Sequence, residues 1–431
     1  MASRALPGSH EDTSLSGPAS DGCPPARARP LRVLLLNYEY PPLGGGAGIA
    51  SAALAQRLAE RGIVVDVITS RPDGVRDAEM RSGLACVAVA PTLTLYRVRS
   101  RRRGIHQAGF FGAGSYLVSA IPAARRLLRT HRYDIVHIYF SLPTGAIIPA
   151  LELGNIPVVV SLRGSDVPGY DERNPRLVLA HRLLRPLTRW IWRRASRVVP
   201  VCASLGELAR DTAPWLDYSV IGNGVDLELF RPGARVAASD PKPVKCLAVG
   251  RLIERKGLAD VLRAWSLLPR GEYELEIAGG GPQDAALRAL AIDLGLGDDV
   301  RFAGPLSRDA IATRCQSADI FVLTPYEEAF GNVFAEAIAA GLPVIGTDIG
   351  AIPDLVQHGE NGILVKPGDA EAIARAVRAL GDNAARRAQI AARNRARALS
   401  ILSWDTATDR YLALYAELIA QRTSARAGLA P

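Results

Sequence analysis

The residues best suited to chemistry lie in one segment of the C-terminal half, where residues 324–336 read TPYEEAFGNVFAE. This segment follows an apolar run typical of a buried strand and opens a pattern typical of a helix. The start of a helix presents free backbone amides and a partial positive charge, and both suit a phosphate group. We therefore expect the amides of Gly331, Asn332 and Val333 to bind a phosphate.

Two glutamates border this expected phosphate site. Glu328 lies just before the predicted helix, and Glu336 lies in its second turn. Eight residues of helix span about 12 Å, so the two carboxylates can lie on opposite sides of a bound diphosphate. Each carboxylate accepts paired hydrogen bonds, which suits the vicinal hydroxyls of a sugar or a ribose. The alternative is an acidic helix start with a chance second glutamate, since acidic side chains favour helix N-termini.

A second segment supplies cations. Residues 249–257 read VGRLIERKG, between a predicted strand and a predicted helix, and contain Arg251 and Lys256. Arginine offers a rigid fork to phosphate oxygens, whereas lysine adds a mobile charge. A departing nucleoside diphosphate gains negative charge that must be stabilised. Many sugar-nucleotide enzymes use a metal held by an Asp-x-Asp pair, and the sequence contains no such pair. Arg251 and Lys256 can serve instead, and a solvated basic loop is the alternative.

The glutamate segment resembles a known family motif. Glu328, Phe330, Gly331 and Glu336 fit the pattern E-x-F-G-x-x-x-x-E. This pattern is similar to the signature of the retaining family 4 glycosyltransferases, whose GT-B fold is α/β, with two Rossmann-like, doubly wound domains facing a central cleft. The resemblance implies that Glu328 contacts the transferred sugar and Glu336 the nucleoside ribose. It also places Phe330 beside the donor.

The resemblance extends to two further segments. Gly250, Arg251 and Lys256 fit the family's G-R-x-x-x-x-K-G motif, which implies that the two cations stabilise the leaving diphosphate without a metal. Residues 300–304 resemble V-x-F-x-G, which implies that Phe302 lies beside the nucleotide base. The turns at 350–354 and 359–362 also resemble family turns and are expected to be structural.

The N-terminal half gives weaker signals. Gly45 and Gly46 belong to a glycine run after the first predicted strand, where the backbone can approach a phosphate or the sugar. Arg163 and Asp166 end a predicted strand at the expected cleft. Many relatives have His-Gly where this chain has Arg-Gly, so Arg163 is expected to face the donor phosphate or an acidic acceptor, with a structural salt bridge as the alternative. The motif Asn-Gly-Val-Asp at 223–226 resembles a family hinge.

The order of elements predicts two tandem domains. A chain of 431 residues exceeds what one core usually holds. Apolar runs alternate with helical patterns in both halves, as in parallel, doubly wound sheets. With the resemblance, this predicts disorder at 1–30, a Rossmann-like acceptor-binding domain at 31–220, a linker at 221–242, a Rossmann-like nucleotide-sugar-binding domain at 243–400, a helix at 401–420 that packs back across the interface, and a disordered tail at 421–431.

The positive charge lies in the first half. The net charge is +9, and residues 31–230 contain about 25 basic and about 16 acidic side chains. The stretch 181–197 combines six arginines with Trp190 and Trp192, which is typical of a helix at an anionic membrane surface. A second basic cluster occupies 97–103. A buried helix face with a solvated basic side is the alternative reading. No recognition motif favours nucleic acid.

The sequence favours a cytoplasmic protein, peripheral on the membrane in one reading. No run reaches a spanning length, no secretory signal is evident, and the five cysteines form no C-x-x-C pair, which favours free thiols in a reducing compartment. The resemblance, over about residues 31–420, implies transfer of a sugar from a nucleoside-diphosphate sugar to the hydroxyl of a glycan, lipid or small-molecule acceptor, for example in polysaccharide biosynthesis. No cofactor is expected. A nucleotide-sugar epimerase and a non-catalytic binding protein remain open, whereas a dehydrogenase is disfavoured because the glycine run does not fit G-x-G-x-x-G.

Overall fold

The computed structural model describes residues 29–73, 77, 79–101, 109–233 and 243–427. The described residues from Leu31 onward pack as one unit built on two sheets. Three predictions of disorder or linker fall at least partly outside the described residues. These are the N-terminal extension up to residue 28, the linker residues 234–242 and the tail residues 428–431.

The first sheet is an eight-stranded α/β layer, as far as the described residues go. Its elements are β1 (Arg32–Leu36), α1 (Gly46–Glu60), β2 (Val64–Ser70), β3 (Glu79–Arg81), β4 (Leu84–Ala90), β5 (Leu93–Val98), α2 (Gly109–Thr130), β6 (Ile135–Tyr139), β7 (Val158–Leu162), α3 (Pro175–Arg194), β8 (Arg197–Pro200) and α4 (Ala203–Thr212). The strand order is β3-β4-β5-β2-β1-β6-β7-β8, and only β4 runs antiparallel to its neighbours. The central strands are apolar and buried on both faces, as parallel strands require.

The second sheet has six parallel strands in the described residues. Its elements are β9 (Val244–Val249), α5 (Leu258–Trp265), β10 (Tyr273–Ala278), α6 (Asp284–Asp293), β11 (Val300–Gly304), α7 (Arg308–Ser317), β12 (Ile320–Val322), α8 (Asn332–Ala339), β13 (Val344–Thr347), α9 (Ile352–Leu355), β14 (Gly362–Val365), α10 (Ala370–Gly381), α11 (Ala384–Ile401) and α12 (Trp404–Ala427). The strand order is β11-β10-β9-β12-β13-β14. This arrangement is doubly wound, as predicted.

The strand orders locate the ligand crevices. The order reverses between β9 and β12 in the second sheet and between β1 and β6 in the first. In open sheets of this kind, ligands bind outside the carboxyl ends of the strands at such a reversal. The loops after β9 and β12 are residues 250–257 and 323–331, which contain the two segments that the sequence analysis selects.

Helix α12 connects the end of the chain to the first sheet. Tyr411 and Tyr415 are buried in the same apolar cluster as the strand residues of β1 and β2. Arg61, which follows α1, forms ion pairs with Asp405 at 3.0 Å and Asp409 at 2.6 Å. The helix continues to Ala427, so residues 421–427 are helical where the sequence analysis predicts a disordered tail. The reason is that these residues extend an anchored helix with good helix formers.

Candidate active site

The predicted phosphate site lies at the start of α8. Gly331 precedes the helix with φ of 80°, a left-handed conformation that glycine adopts without strain. The carbonyl of Gly331 accepts from the amides of Phe334 at 2.9 Å and Ala335 at 3.1 Å, which closes the first turn. Within the described residues, the amides of Gly331, Asn332 and Val333 donate to no acceptor. The three amides singled out from the sequence are therefore available to a ligand.

Glu328 pairs with Lys256 across the reversal point of the second sheet. The Lys256 Nζ donates to Glu328 Oε2 at 2.6 Å, and the two side chains are 16% and 13% exposed. Gly257 approaches the carbonyl of Thr324 so closely that any side chain there would overlap it. The loops after β9 and β12 are therefore pressed together. This contact brings two separately predicted residues, one from each segment, into a short and mostly buried ion pair.

Glu336 has a different cation. Arg308, the first residue of α7, donates to Glu336 Oε1 at 3.3 Å. The Glu336 side chain is only 15% exposed. Desolvation by burial raises the pKa of Glu336 to about 7, and the charge of Arg308 opposes this shift. Because each glutamate has its own cation, the pair does not resemble two carboxylates that share a proton.

The raised pKa of Glu336 predicts a pH-dependent donor affinity. If Glu336 binds the nucleoside ribose, as the resemblance implies, only its ionised carboxylate can accept both ribose hydroxyls, so affinity should rise as the pH rises through the pKa of about 7. Between about pH 8 and about pH 6 the loss should be about tenfold. The measurement is titration calorimetry with an intact nucleoside-diphosphate sugar, whose phosphates do not titrate in this range. The Glu336→Gln variant should bind weakly with a flat profile, and an equally steep profile in this variant would contradict the assignment.

Arg251 stands free at the edge of the same loop. Its side chain is exposed, and within the described residues it forms no ion pair. The preceding Gly250 donates its amide to the carbonyl of Ala278 at 3.0 Å, which ties the loop to the end of β10. Gly279 faces the Gly250 carbonyl so closely that a side chain there would overlap it. Arg251 is thus an arginine without an ion-pair partner in the described residues, on a loop that backbone contacts hold in place. Both properties suit a phosphate ligand.

The glycine run of the first half faces α8 across the cleft, by which we mean the space between the carboxyl edges of the two sheets. A Cβ on Gly46 would lie 2.5 Å from the Asn332 Nδ2, whereas one on Gly45 would meet nothing within 4 Å. Since Gly46 begins α1 and Asn332 begins α8, two helix N-termini approach each other here. A side chain at Gly46 would therefore force the amide group of Asn332 to move.

Arg163 connects the first sheet to this pair of helices. Its guanidinium donates to Asn223 Oδ1 at 2.8 Å and to the Tyr411 hydroxyl at 3.0 Å, and it lies 4.3 Å from the centre of the Tyr139 ring. Asn223 in turn donates to Asn332 Oδ1 at 2.9 Å. These partners of Arg163 are an amide, a phenol and a ring, so in the described residues the structural salt bridge considered from the sequence is not formed. Contact with a donor phosphate or an acidic acceptor stays a prediction.

Asp166 orders the loops beside the cleft. It is 2% exposed. Its oxygens accept from the amides of Ser141 at 2.7 Å, Arg163 at 2.8 Å and Gly164 at 3.1 Å. Burial raises the pKa of Asp166, and these hydrogen bonds oppose the shift. Asp166 thus holds the segments after β6 and β7 together at the edge of the cleft, and contact of Asp166 with a bound donor stays a prediction.

The two predicted aromatic contacts lie apart from each other. Phe330 is 9% exposed and packs against Gly222 of the inter-sheet segment, where a Cβ would lie 2.8 Å from its ring. Phe302 lies on β11 beneath Arg288, whose guanidinium is 4.6 Å from the ring centre. Phe330 therefore supports the segment between the sheets. Phe302 remains a candidate for contact with a base.

The structure adds an ionic cluster at the rim of the cleft that no local sequence pattern indicates. Arg173, just before α3, approaches Glu327 at 4.0 Å and lies 4.3 Å from the Tyr326 ring centre. Arg255 approaches Glu327 at 4.0 Å and Asp171 at 3.9 Å. These side chains come from loops of both halves, so only the tertiary fold brings them together. Among the described residues, no group of three His, Cys, Asp or Glu side chains is placed to hold a metal.

Two family models match the chain. The model described as glycosyl transferases group 1 matches residues 234–397, and the model described as glycosyltransferase family 4 matches residues 44–229. A D-inositol 3-phosphate glycosyltransferase from Acidothermus cellulolyticus is 28% identical over 94% of both chains.

Solved structures share the architecture. Sucrose-phosphate synthase from Thermosynechococcus elongatus superposes with a TM-score of 0.76 at 23% identity and covers 91% of this chain and 100% of its own. Anabaena HepE, solved in complex with UDP and glucose, gives a TM-score of 0.67 at 19% identity, with 90% and 99% covered. At these identities the two structures bear on the fold alone.

Proposed function

Since the chain belongs to the family 4 glycosyltransferases of the GT-B fold, we propose that it is a retaining enzyme that uses a nucleoside-diphosphate sugar without a metal. The predicted fold and the prediction of a glycosyltransferase are confirmed. The observation that carries the rest of the proposal is the free N-terminus of α8, bordered by Glu328 with its Lys256 partner and by Glu336 with its Arg308 partner. In this arrangement the amides can bind a diphosphate, and the two carboxylates can bind the sugar and the ribose on either side of it.

In the proposed reaction, the diphosphate binds the free amides of α8 together with Arg251 and Lys256. Glu336 accepts hydrogen bonds from the ribose, and Glu328 accepts hydrogen bonds from the sugar. The acceptor hydroxyl attacks the anomeric carbon on the face that the diphosphate leaves. As the bond from carbon to phosphate oxygen breaks, the new bond to the acceptor oxygen forms, and the acceptor proton passes to the leaving phosphate.

The role of the cations follows from where charge develops. Negative charge grows on the leaving diphosphate in the transition state, so preorganised donors aimed at it lower the barrier. Lys256 lies in a mostly buried position, where such a charge is worth more than in water. Glu328 is held by Lys256 and positions the sugar, and we do not assign it as a covalent nucleophile. The acceptor would enter from the first half, beside Gly45 and Gly46.

We also propose a cytoplasmic setting in the synthesis of a glycan, polysaccharide or glycolipid, with the first half in contact with an anionic membrane. By their names, the relative is a D-inositol 3-phosphate glycosyltransferase, one neighbour is a synthase of sucrose phosphate, and the other is solved with UDP and glucose. They support a sugar nucleotide as donor.

A donor screen tests the proposal. Uridine, guanosine and adenosine diphospho-sugars should be compared by thermal shift and slow donor hydrolysis in the presence of chelator. One class of donor should raise the melting temperature, release diphosphate and lose both effects in the Glu336→Ala variant. The absence of binding to every donor would overturn the proposal. Activity that disappears with chelator and returns with a divalent ion would overturn the metal-free role of Arg251 and Lys256.

Product analysis separates the alternatives. A transferase should form the new glycosidic bond with the anomeric configuration of the donor, which proton NMR coupling constants report. A nucleotide-sugar epimerase would convert the donor sugar with no acceptor present. A non-catalytic binding protein would bind the donor and release nothing over the uncatalysed rate.

A further inference from the structure

Helix α3 is firmly built into the first sheet. Asn174 caps it by accepting the amide of Leu177 at 3.2 Å, and Pro175 starts the first turn. Its inner face buries four residues, His181, Thr188, Ile191 and Trp192. This face fixes the helix in place and determines which residues point away from the protein.

The outer face carries an apolar line. Leu179, Leu183 and Trp190 are 57%, 69% and 39% exposed, and Pro186 is also exposed between them. The spacings of four, three and four residues place these side chains on one side of the helix. An amphipathic helix of a soluble protein turns its apolar side inward. The inner face of α3 is buried in this way, but the helix also has a second apolar line on its solvent-exposed side.

Arginines flank the apolar line on both sides. The helix contains six of them and no acidic residue; they are Arg176, Arg182, Arg185, Arg189, Arg193 and Arg194. Within the described residues none forms an ion pair with a carboxylate. Arg185 donates to the backbone carbonyl of Asp211 at 3.2 Å, and Arg193 lies 4.9 Å from the centre of the exposed Trp215 ring. The surface therefore keeps its positive charge.

We propose that this surface, the outer face of α3, docks on an anionic lipid bilayer, with the apolar line between the lipid headgroups and the arginines on their phosphates. The binding of lipid by this surface is argued from α3 alone. Only its consequence, that the cleft is held at the membrane where an acceptor lies, rests on the proposed function. Anionic lipid matches both components of the surface at once. A twofold contact with a second copy would instead bring arginine-rich faces together, with no acidic residue on either helix. In the part of the chain that the structure describes, no helix is long and apolar enough to cross a bilayer.

The docking surface is coupled to the cleft. The Trp192 indole donates to Ser141 Oγ at 2.9 Å, and His181 contacts the Ser165 carbonyl at 3.0 Å, so α3 contacts the loops after β6 and β7 directly. Arg173, just before the helix, reaches Glu327 of the second half. A bilayer against α3 would therefore hold the rim of the cleft beside the headgroups. An acceptor carried in that bilayer could then reach the first half without leaving the membrane.

Vesicle sedimentation tests the proposal on the full chain. The wild type should sediment with vesicles of equal phosphatidylcholine and phosphatidylglycerol and remain soluble with phosphatidylcholine alone. The Leu183→Glu/Trp190→Glu variant should lose about tenfold in apparent affinity. The matched control is Ile292→Glu, a substitution at a 78% exposed position of α6, which should bind as the wild type does.

Two further variants complete the test. The Arg182→Gln/Arg189→Gln variant should lose about 30-fold in affinity and part of its salt dependence, because two charges near the surface are removed. The Trp190→Phe variant should still bind vesicles. The shift of its tryptophan emission to shorter wavelength on vesicle binding should be smaller than that of the wild type. Each variant should keep the wild-type melting temperature and donor hydrolysis.

The outcomes separate the possible occupants. Unchanged vesicle binding in both double variants, or equal binding to neutral vesicles, would overturn the proposal. A dimer in light scattering that the Leu183→Glu/Trp190→Glu variant dissociates, without vesicle binding by the wild type, would assign the surface to a second copy instead. Failure to bind any donor would overturn the proposed function. It would not affect the present inference, which depends on vesicle binding.

Discussion

Replacing Lys256 with methionine should lower the turnover number by about 10²- to 10³-fold, the cost of removing one preorganised donor from a developing negative charge. Methionine keeps the apolar stem and removes the ammonium group. The Lys256 side chain is 16% exposed, so water cannot readily take its place. The measurement is steady-state kinetics at saturating donor. Lys245→Met is the matched control, because Lys245 lies exposed on β9, and it should keep wild-type turnover. A loss of less than about threefold would contradict the leaving-group role.

The same substitution has a second consequence through Glu328. Without Lys256, the carboxylate of Glu328 is mostly buried and lacks the partner that it contacts at 2.6 Å. A buried charge that has lost its partner is costly, and here it would also repel the donor diphosphate. We therefore expect Lys256→Met to weaken donor binding more than the double variant Lys256→Met/Glu328→Gln does. Equal affinities for the single and double variants would contradict the expected repulsion of the donor by an unpaired Glu328.

Local patterns were sufficient to predict the individual parts of the site. The start of α8 was predictable because a buried apolar strand, a glycine and a helical period occur in order. Glu328 and Lys256 were each predicted from their own segments. Their contact was not, because it depends on β9 and β12 being neighbours in the sheet, a property of strand order. Local sequence patterns identify each strand and loop, but they do not determine which strands are neighbours in the sheet.

Residues that act through tertiary contacts were missed for the same reason. Arg308 occupies the first turn of α7 and resembles any solvated arginine there, yet it is the partner of Glu336. Asn223 was predicted to be part of a hinge, and its contact with Asn332 joins the segment between the sheets to the start of α8, 109 residues away in the chain. Helix α1 starts inside the glycine run, at Gly46. Glycine is a poor helix former, so local propensity places the start too late.

The edge of the first sheet shows another limit. Strands β3, β4 and β5 were not predicted, although β5 lies against the central β2. The strand β4 reads Leu-Ala-Cys-Val-Ala-Val-Ala, and its small residues give little hydrophobic contrast. Likewise, a functional role was predicted for Arg163 because the resemblance implies a histidine at this position in many relatives. The structure surrounds it with Asn223, Tyr411 and Tyr139, and α12 supplies one of these from the far end of the chain.

Exchanging each glutamate for alanine should separate binding from turnover. Glu336→Ala should raise the dissociation constant of free nucleoside diphosphate by about 10- to 100-fold, because two hydrogen bonds to a charged acceptor are lost, and should change turnover little at saturating donor. Glu328→Ala should leave that dissociation constant within about threefold and lower turnover by about 10²-fold or more, because free diphosphate lacks the sugar that Glu328 positions.

The two measurements are calorimetry with the diphosphate and kinetics with the intact donor, with Glu360→Ala at an exposed position as the control. The reasoning depends on the separation of the two ion pairs. Glu328 belongs with Lys256, at the loops where the leaving group is expected, whereas Glu336 of α8 belongs with Arg308 at the start of α7, the preceding helix. If both variants lost nucleotide affinity equally, the two carboxylates would serve one part of the donor. The assignment of sugar and ribose to opposite ends of the α8 site would then fail, even though the fold and family would stand.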